Sequence, residues 1–214
     1  MGVVFSVERA RFAQRAIASR VLESDALPSE VRYVAGVDVT YSGPRAIAAA
    51  AVVDTRTLRF VTSSVVELEV HVPYIPTLLA FREAGPMIAA LRKLDLEPDV
   101  LIVDGNGRLH PLGAGIACQV GLAVDKPTIG VAKKLLCGEV GEWSGREAPV
   151  LLSGKVVGVA LRTSFKPIYV SVGHKVSLLT AVALVSKLTR KGARLPEPLR
   201  LAHETATKYA RRVF

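Results

Sequence analysis

Cysteine is scarce in this chain. Cys118 and Cys137 are the only two among 214 residues, too few for a disulfide framework or a thiolate zinc site and in keeping with a reducing cytoplasm. Cys118 reads as a small core residue. Side-chain amides are nearly as rare: one Asn (Asn106) and two Gln (Gln14 and Gln119), beside only two Met. Such depletion of thermolabile residues points to a heat-adapted source. No apolar run is long enough to span a bilayer, and the N-terminal residues lack a signal-peptide pattern. MGVVFS fits the myristoylation motif in form, but Ser6 reads better as a helix cap. Several catalytic motifs are missing too. DGNGRLH has His110 where a dinucleotide fingerprint needs its third glycine, and LLSGK lacks the preceding glycine of a phosphate loop. Neither G-x-S-x-G nor H-E-x-x-H occurs.

Acid is the scarcer charge. Nineteen Asp and Glu against 28 Lys and Arg leave a net charge of +9, which favours a polyanionic partner, nucleic acid before a membrane. Half of the residues are apolar, enough for an ample core, and the length suits a single domain over 1–214. Helical spacing is visible over 7–22, through Val7, Ala10, Ile17 and Val21. Residues 32–41, 45–54 and 58–70 read as strands joined by short turns, an antiparallel meander. A helix over 77–94 follows, broken or kinked near Gly85–Pro86 because Pro86 frees the carbonyl of Arg82. Strand 100–104, helix 112–124 and strand 127–132 alternate as parallel strands with helical crossovers do. A strand pair near 149–162, a strand at 168–172 and helices over 177–190 and 197–212 close the chain. The fold class is α/β: a mixed sheet, three antiparallel strands and then parallel ones, with helices on both faces, the order of ribonuclease H-like folds.

Within that frame a few residues are chemically out of place. Asp38 sits inside a strand between Val37 and Val39, where aspartate is disfavoured and a buried carboxylate needs a partner. Asp104 ends VLIVD at its carboxyl edge, where open α/β sheets collect ligands. Glu83 shares a helical face with Leu79 and Met87 and so points inward. Each acid alone fits a structural hydrogen bond; together they fit oxygen ligation of Mg²⁺, which neutralises phosphate charge and activates water for in-line attack. His203 shares a face with Leu199, Ala206 and Ala210, as a core histidine or as a member of the site. Lys133 and Lys134 follow a strand at its carboxyl edge, as a solvated pair or as a point charge on a phosphate. Ser171, Gly173, His174 and Lys175 precede a helix that Ser177 caps, and suit either plain capping or a backbone phosphate at that helix end.

The stretch PYIPTLLAFRE, residues 73–83, is the most distinctive. Two prolines bracket Tyr74 and Ile75, and the helix expected behind Pro76 leaves the amides of Thr77, Leu78 and Leu79 without intrahelical acceptors. A stiff apolar wedge beside a donor cluster suits prying into a base stack. A hydrophobic staple at a helix entrance is the plainer alternative.

VAGVDVTY, PYIPTLLAFRE, LIVDGNGRLHPLGAGIA, GVAKKLL, KPIYVSVGHKVSL and RLAHETA together resemble the endonuclease V family, over about residues 7–210. The resemblance implies a ribonuclease H-like deoxyribonuclease of DNA repair that flips hypoxanthine from a strand. It implies hydrolysis of the second phosphodiester bond on the 3′ side, leaving 3′-hydroxyl and 5′-phosphate ends. It assigns Asp38, Glu83 and Asp104 to a Mg²⁺ site that Mn²⁺ also fills, with His203 as a fourth catalytic residue and Lys133 at the scissile phosphate. Tyr74 becomes the wedge, supported by Pro73, Ile75 and Pro76, while Thr77, Leu79, His110, Gly115 and Ile116 line the base pocket. The expected partner is inosine-containing DNA, possible activity on inosine in RNA is kept open, no membrane is involved, and the protein is a cytoplasmic monomer. One departure stands out: many relatives have glycine where this chain has Thr77. A binding-only inosine reader, a junction resolvase and an actin-like ATPase are the competing readings, and the last needs phosphate loops and a second domain that this chain is too short to hold.

Overall fold

The computed structural model describes residues 5–213; the myristoylation motif at Gly2 lies outside them. Helix α1 (Val7–Ala18) leads into strands β1 (Tyr33–Ser42), β2 (Arg45–Asp54) and β3 (Arg59–Glu69). Helix α2 (Leu79–Arg92), strand β4 (Val100–Asp104), helix α3 (Ile116–Val124) and strand β5 (Thr128–Ala132) follow. Strands β6 (Glu139–Val140), β7 (Glu147–Leu152), β8 (Lys155–Leu161) and β9 (Ile168–His174) precede helices α4 (Leu178–Leu188) and α5 (Glu197–Val213). All nine strands join one sheet in the order β3-β2-β1-β4-β5-β9-β8-β7-β6. The first three are antiparallel, β1, β4 and β5 are parallel, and β9 returns antiparallel to β5. This is the mixed, ribonuclease H-like sheet that the order of elements predicts.

Helices cover both faces. Val34, Val100, Ile102 and Val131 pack with Val185 and Leu199 from α4 and α5, while Ala35, Val37, Leu101 and Val103 pack with Ala84, Met87 and Ala117 from α2 and α3. Strand β2 carries five alanines and is buried along both faces. Alanine is a poor strand former, so this strand owes its conformation to pairing on both sides and to close cover by helices. On β1 the approach is closer still. A Cβ at Gly36 would lie 2.2 Å from the backbone of Pro198, so α5 seats against β1 only because that residue is glycine.

Four local expectations are corrected. Helix α1 ends at Ala18, and its buried residues are Ala10 and Gln14. Helix α2 begins at Leu79, because Thr77 turns into the left-handed region (φ +70°) and Leu78 donates to the Ile75 carbonyl. Helix α3 begins at Ile116 rather than 112. Finally, α2 runs through Pro86 as one helix; burial of Pro86 with Ala84, Met87 and Ala90 outweighs one lost hydrogen bond.

Candidate active site

Strand register sets the centre of the site. Val37 of β1 lies opposite Val103 of β4, and Asp104 lies opposite Val131 of β5. Asp38 therefore stands beside Asp104 one step further along the parallel pair, on the α4–α5 face with Val34 and Ile102. Lys133, two residues past Val131, projects the same way and its Nζ lies 2.5 Å from Asp104 Oδ2. From α5, His203 places Nδ1 2.6 Å from Asp38 Oδ2. His203 is no core histidine, since half of its side chain is open to solvent while Leu199 and Ala206 on the same helix are buried.

Burial, and then repulsion from Asp104, push the Asp38 carboxyl up to about 6 even with His203 hydrogen-bonded to it. Glu83 reaches the same edge from α2, across the sheet. Burial pushes its carboxyl up to about 7, with further upward pressure from Asp38 and Asp104. The Tyr41 hydroxyl holds Glu83 by a hydrogen bond and accepts one from Arg82 Nε at 2.9 Å. The Arg82 guanidinium lies 4.5 Å from the Tyr41 ring centroid and also donates to the Val72 carbonyl. Burial and the Glu83 charge push the Tyr41 phenol up to about 12, so it stays a donor.

These acids fit a hard cation in chemistry, since they offer all-oxygen donors. Among the described residues, though, no three His, Cys, Asp or Glu side chains stand together at metal-holding spacing. The expected three-acid cage is thus not preformed. Asp38 and Asp104 make the pair, and Glu83, hung from the opposite face, is engaged with Tyr41.

Beside the acids a cavity of about 110 Å³ opens on the α2–α3 side, lined by residues that include Tyr74, Pro76, Thr77, Leu79, His110, Gly115 and Ile116. Tyr74 stands at its mouth 68% exposed, with Pro73 and Pro76 exposed around it and Ile75 half-buried. His110 fixes the floor. Its Nδ1 accepts from the Leu112 amide at 3.1 Å, so Nε2 carries the proton and donates to the Thr77 carbonyl at 2.9 Å. Burial holds its pKa below the usual value, which keeps the ring neutral. Gln14 Nε2 donates to the same carbonyl at 2.6 Å. Gly115 has no room for a side chain, since a Cβ there would meet the Asn106 carbonyl at 2.1 Å.

The expected phosphate contacts at Ser171, Gly173, His174 and Lys175 do not belong to this site. Thr128 pairs with His174, so the end of β9 lies at the opposite edge of the sheet from Asp104. Ser171 is buried and accepts from the Gly107 amide; His174 accepts from the Leu22 amide; Lys175 pairs with Asp125 at 2.7 Å. The N-terminus of α4 is already filled by Asp25, which accepts from the Ser177 amide at 2.6 Å. A larger cleft of about 510 Å³, with Leu94, Leu96, Pro98 and Lys126 among its walls, also lies at that far edge.

Sequence reasoning missed Tyr41, Arg82, Gln14 and Asn106. Asn106 lines the cavity, and its Oδ1 is buried without a partner among the described residues. Its place between two glycines just past Asp104 was the available signal. Gln14 lies 63 residues from Thr77, and nothing local announces that bond.

Comparison with known proteins agrees with this geometry. The endonuclease V family model matches residues 15–204. An endonuclease V of Thermofilum pendens is 61% identical over 209 residues, covering 97% of this chain and 90% of that protein. The crystal structure of endonuclease V from Streptomyces avermitilis superposes with a TM-score of 0.90 at 37% identity, covering 99% and 96% of the two chains. That of Ciona intestinalis endonuclease V, solved with a 24mer DNA containing an inosine, gives a TM-score of 0.87 at 28% identity over 97% and 99%. With its mixed sheet, its paired acids and its exposed tyrosine beside a cavity, the chain belongs to the endonuclease V family.

Proposed function

We infer that the protein is a metal-dependent endonuclease that recognises deoxyinosine in DNA and hydrolyses the second phosphodiester bond on its 3′ side, leaving 3′-hydroxyl and 5′-phosphate ends. DNA endonuclease activity follows from family membership. The finer reading is supported by one observation above the rest: the Asp38–Asp104 pair stands at the sheet edge beside a cavity whose mouth carries an exposed tyrosine.

The side chains divide the work. Tyr74, stiffened by Pro73 and Pro76, fills the gap left by an extruded base. Hypoxanthine offers an O6 acceptor and an N1–H donor. The amides of Thr77 and Leu79 suit O6 and oppose the amino group of adenine. Asn106 Oδ1 is an acceptor in want of a donor and suits N1–H. Gly115 and Ile116 close the wall against the 2-amino group of guanine. Unpaired buried groups make such discrimination large, on the order of 10⁴-fold. Lys133 places a positive charge at the scissile phosphate, and the hydrogen bond between His203 Nδ1 and Asp38 orients both side chains. A divalent cation, Mg²⁺ with Mn²⁺ as substitute, held by Asp38 and Asp104 with Glu83 nearby, supplies charge neutralisation and eases deprotonation of the attacking water.

The test is cleavage of matched oligonucleotides carrying inosine, adenine or guanine at one position, with Mg²⁺ or EDTA. Cutting of the inosine strand alone, and only with the metal, is the expected result. Binding to inosine without cutting would favour a reader, and faster cutting of a four-way junction would favour a resolvase. The same assay on an inosine-containing RNA scores ribonucleotide cleavage.

A further inference from the structure

Beyond Lys133, along the same edge and on the same α4–α5 face, lies a cleft of about 470 Å³ that plays no part in the site above. Its walls include Arg146, Arg162, Arg190 and Lys191, with the hydroxyls of Ser164 and Thr189. Strand pairing fixes its position: Ala132 lies opposite Tyr169, and Leu161 opposite Ile168, so the turn over 162–167 stands beside Lys133. Arg194 ties the two together, donating to the Lys133 carbonyl at 2.6 Å and to that of Pro167 at 3.3 Å.

Arg146 and Arg162 are held in place without acids. Arg146 Nε donates to the Arg162 carbonyl at 2.7 Å, and the Arg162 guanidinium lies 3.7 Å from the Trp143 ring centroid. Arg190 pairs with Glu197 at 3.3 Å. Arg146, Arg162 and Lys191 have no carboxylate partner among the described residues. Like charges fixed near one another by backbone and ring contacts attract an anion. Next in the chain to Ser164, which lines the cleft, Phe165 is 98% exposed, a phenyl ring with no part in the core. A basic groove with a bare aromatic ring is the combination that holds single-stranded nucleic acid, phosphates on the cations and a base on the ring.

Direction follows from the layout, and here the argument rests on the function proposed above. The base cavity opens on the α2–α3 side and the paired acids lie on the other face. A strand with its extruded purine in the cavity and its cut on the 3′ side crosses the edge at Asp104 and Lys133. Its continuation in the 3′ direction then meets this cleft. We propose that the Arg146–Arg162–Lys191 cleft binds the backbone phosphates of the strand 3′ to the cut, with Phe165 stacking against one of its bases.

The experiment measures affinity for single-stranded inosine oligonucleotides with a fixed 5′ arm and a 3′ arm that either ends one nucleotide past the cut or runs well beyond it. Wild type should bind the long 3′ arm more tightly. The triple variant Arg146→Gln, Arg162→Gln, Lys191→Gln should lose that gain, about tenfold or more, with a salt slope shallower by about 2. Phe165→Ala should lose about fivefold or more on the long arm alone. Both should cut the short-arm substrate at the wild-type rate, which also reports an intact fold. Equal losses on both 3′ arms, or no loss, would overturn the proposal. If wild type itself did not prefer inosine to adenine, the function proposed above would fail first, and with it the direction assigned to the strand.

Discussion

Thr77 combines backbone strain with a place in the wall of the proposed base cavity. Its φ of +70° belongs to the region that suits glycine, and the bonds from Gln14 and His110 to its carbonyl hold it there. Thr77→Gly should raise stability by about 1 kcal/mol, read in thermal melts; a loss of stability would show that the threonine side chain makes a contact worth more than the strain. Glu83 presents the opposite case. Its folded pKa, about 7, lies above the free value of 4.5, so the native state binds the proton more tightly. The stability of the neutral form is complete below 4.5 and is lost as pH rises through about 7. In EDTA above that range, Glu83→Gln should therefore stabilise the protein by about 2 kcal/mol, roughly 6 °C in Tm. The gain should vanish in acid. A Tm difference that does not change with pH would remove burial of charge as its cause. Mg²⁺ should raise the wild-type Tm and leave that of Asp104→Asn unmoved.

At the scale of elements, the seating of α5 on β1 brings His203 to Asp38. Gly36→Ala would force the Pro198 backbone away and should cost about 3 kcal/mol, with cleavage falling alongside; unchanged melting would mean that α5 shifts freely. The wedge segment predicts a different pattern. Tyr74→Ala should weaken binding to inosine in a duplex about tenfold while sparing a substrate whose base is already unstacked, and equal losses on both would argue against a wedge. The acids were legible because a strand-ending Asp104 and an in-strand Asp38 break the apolar pattern of VLIVD and VAGVDV. The helix starts were not. Pro76 looks like a first helical residue, yet Thr77 turns left-handed under bonds from residues 14 and 110. The partner at the α4 N-terminus was hidden for a related reason: Asp25, which accepts from the Ser177 amide, lies 152 residues before it. Local sequence carries periodicity and breaks in it, but not which distant side chain satisfies a loop.

Over the whole molecule, the net charge of +9 surrounds the Asp38–Asp104 pair; on the function proposed above, attraction to the strand and repulsion at these acids oppose each other until a cation offsets the second. Binding should weaken steeply with salt, by on the order of tenfold between low and physiological ionic strength. A flat salt response would contradict a phosphate-dominated interface. The most direct measurement is the length of the product strand from a duplex with a single deoxyinosine, resolved to one nucleotide in Mg²⁺, for wild type and Asp104→Asn. The account predicts one product ending a nucleotide beyond the inosine in wild type and none in the variant. A product at another position, equal cutting of an inosine-free duplex, or wild-type cutting by Asp104→Asn would contradict it.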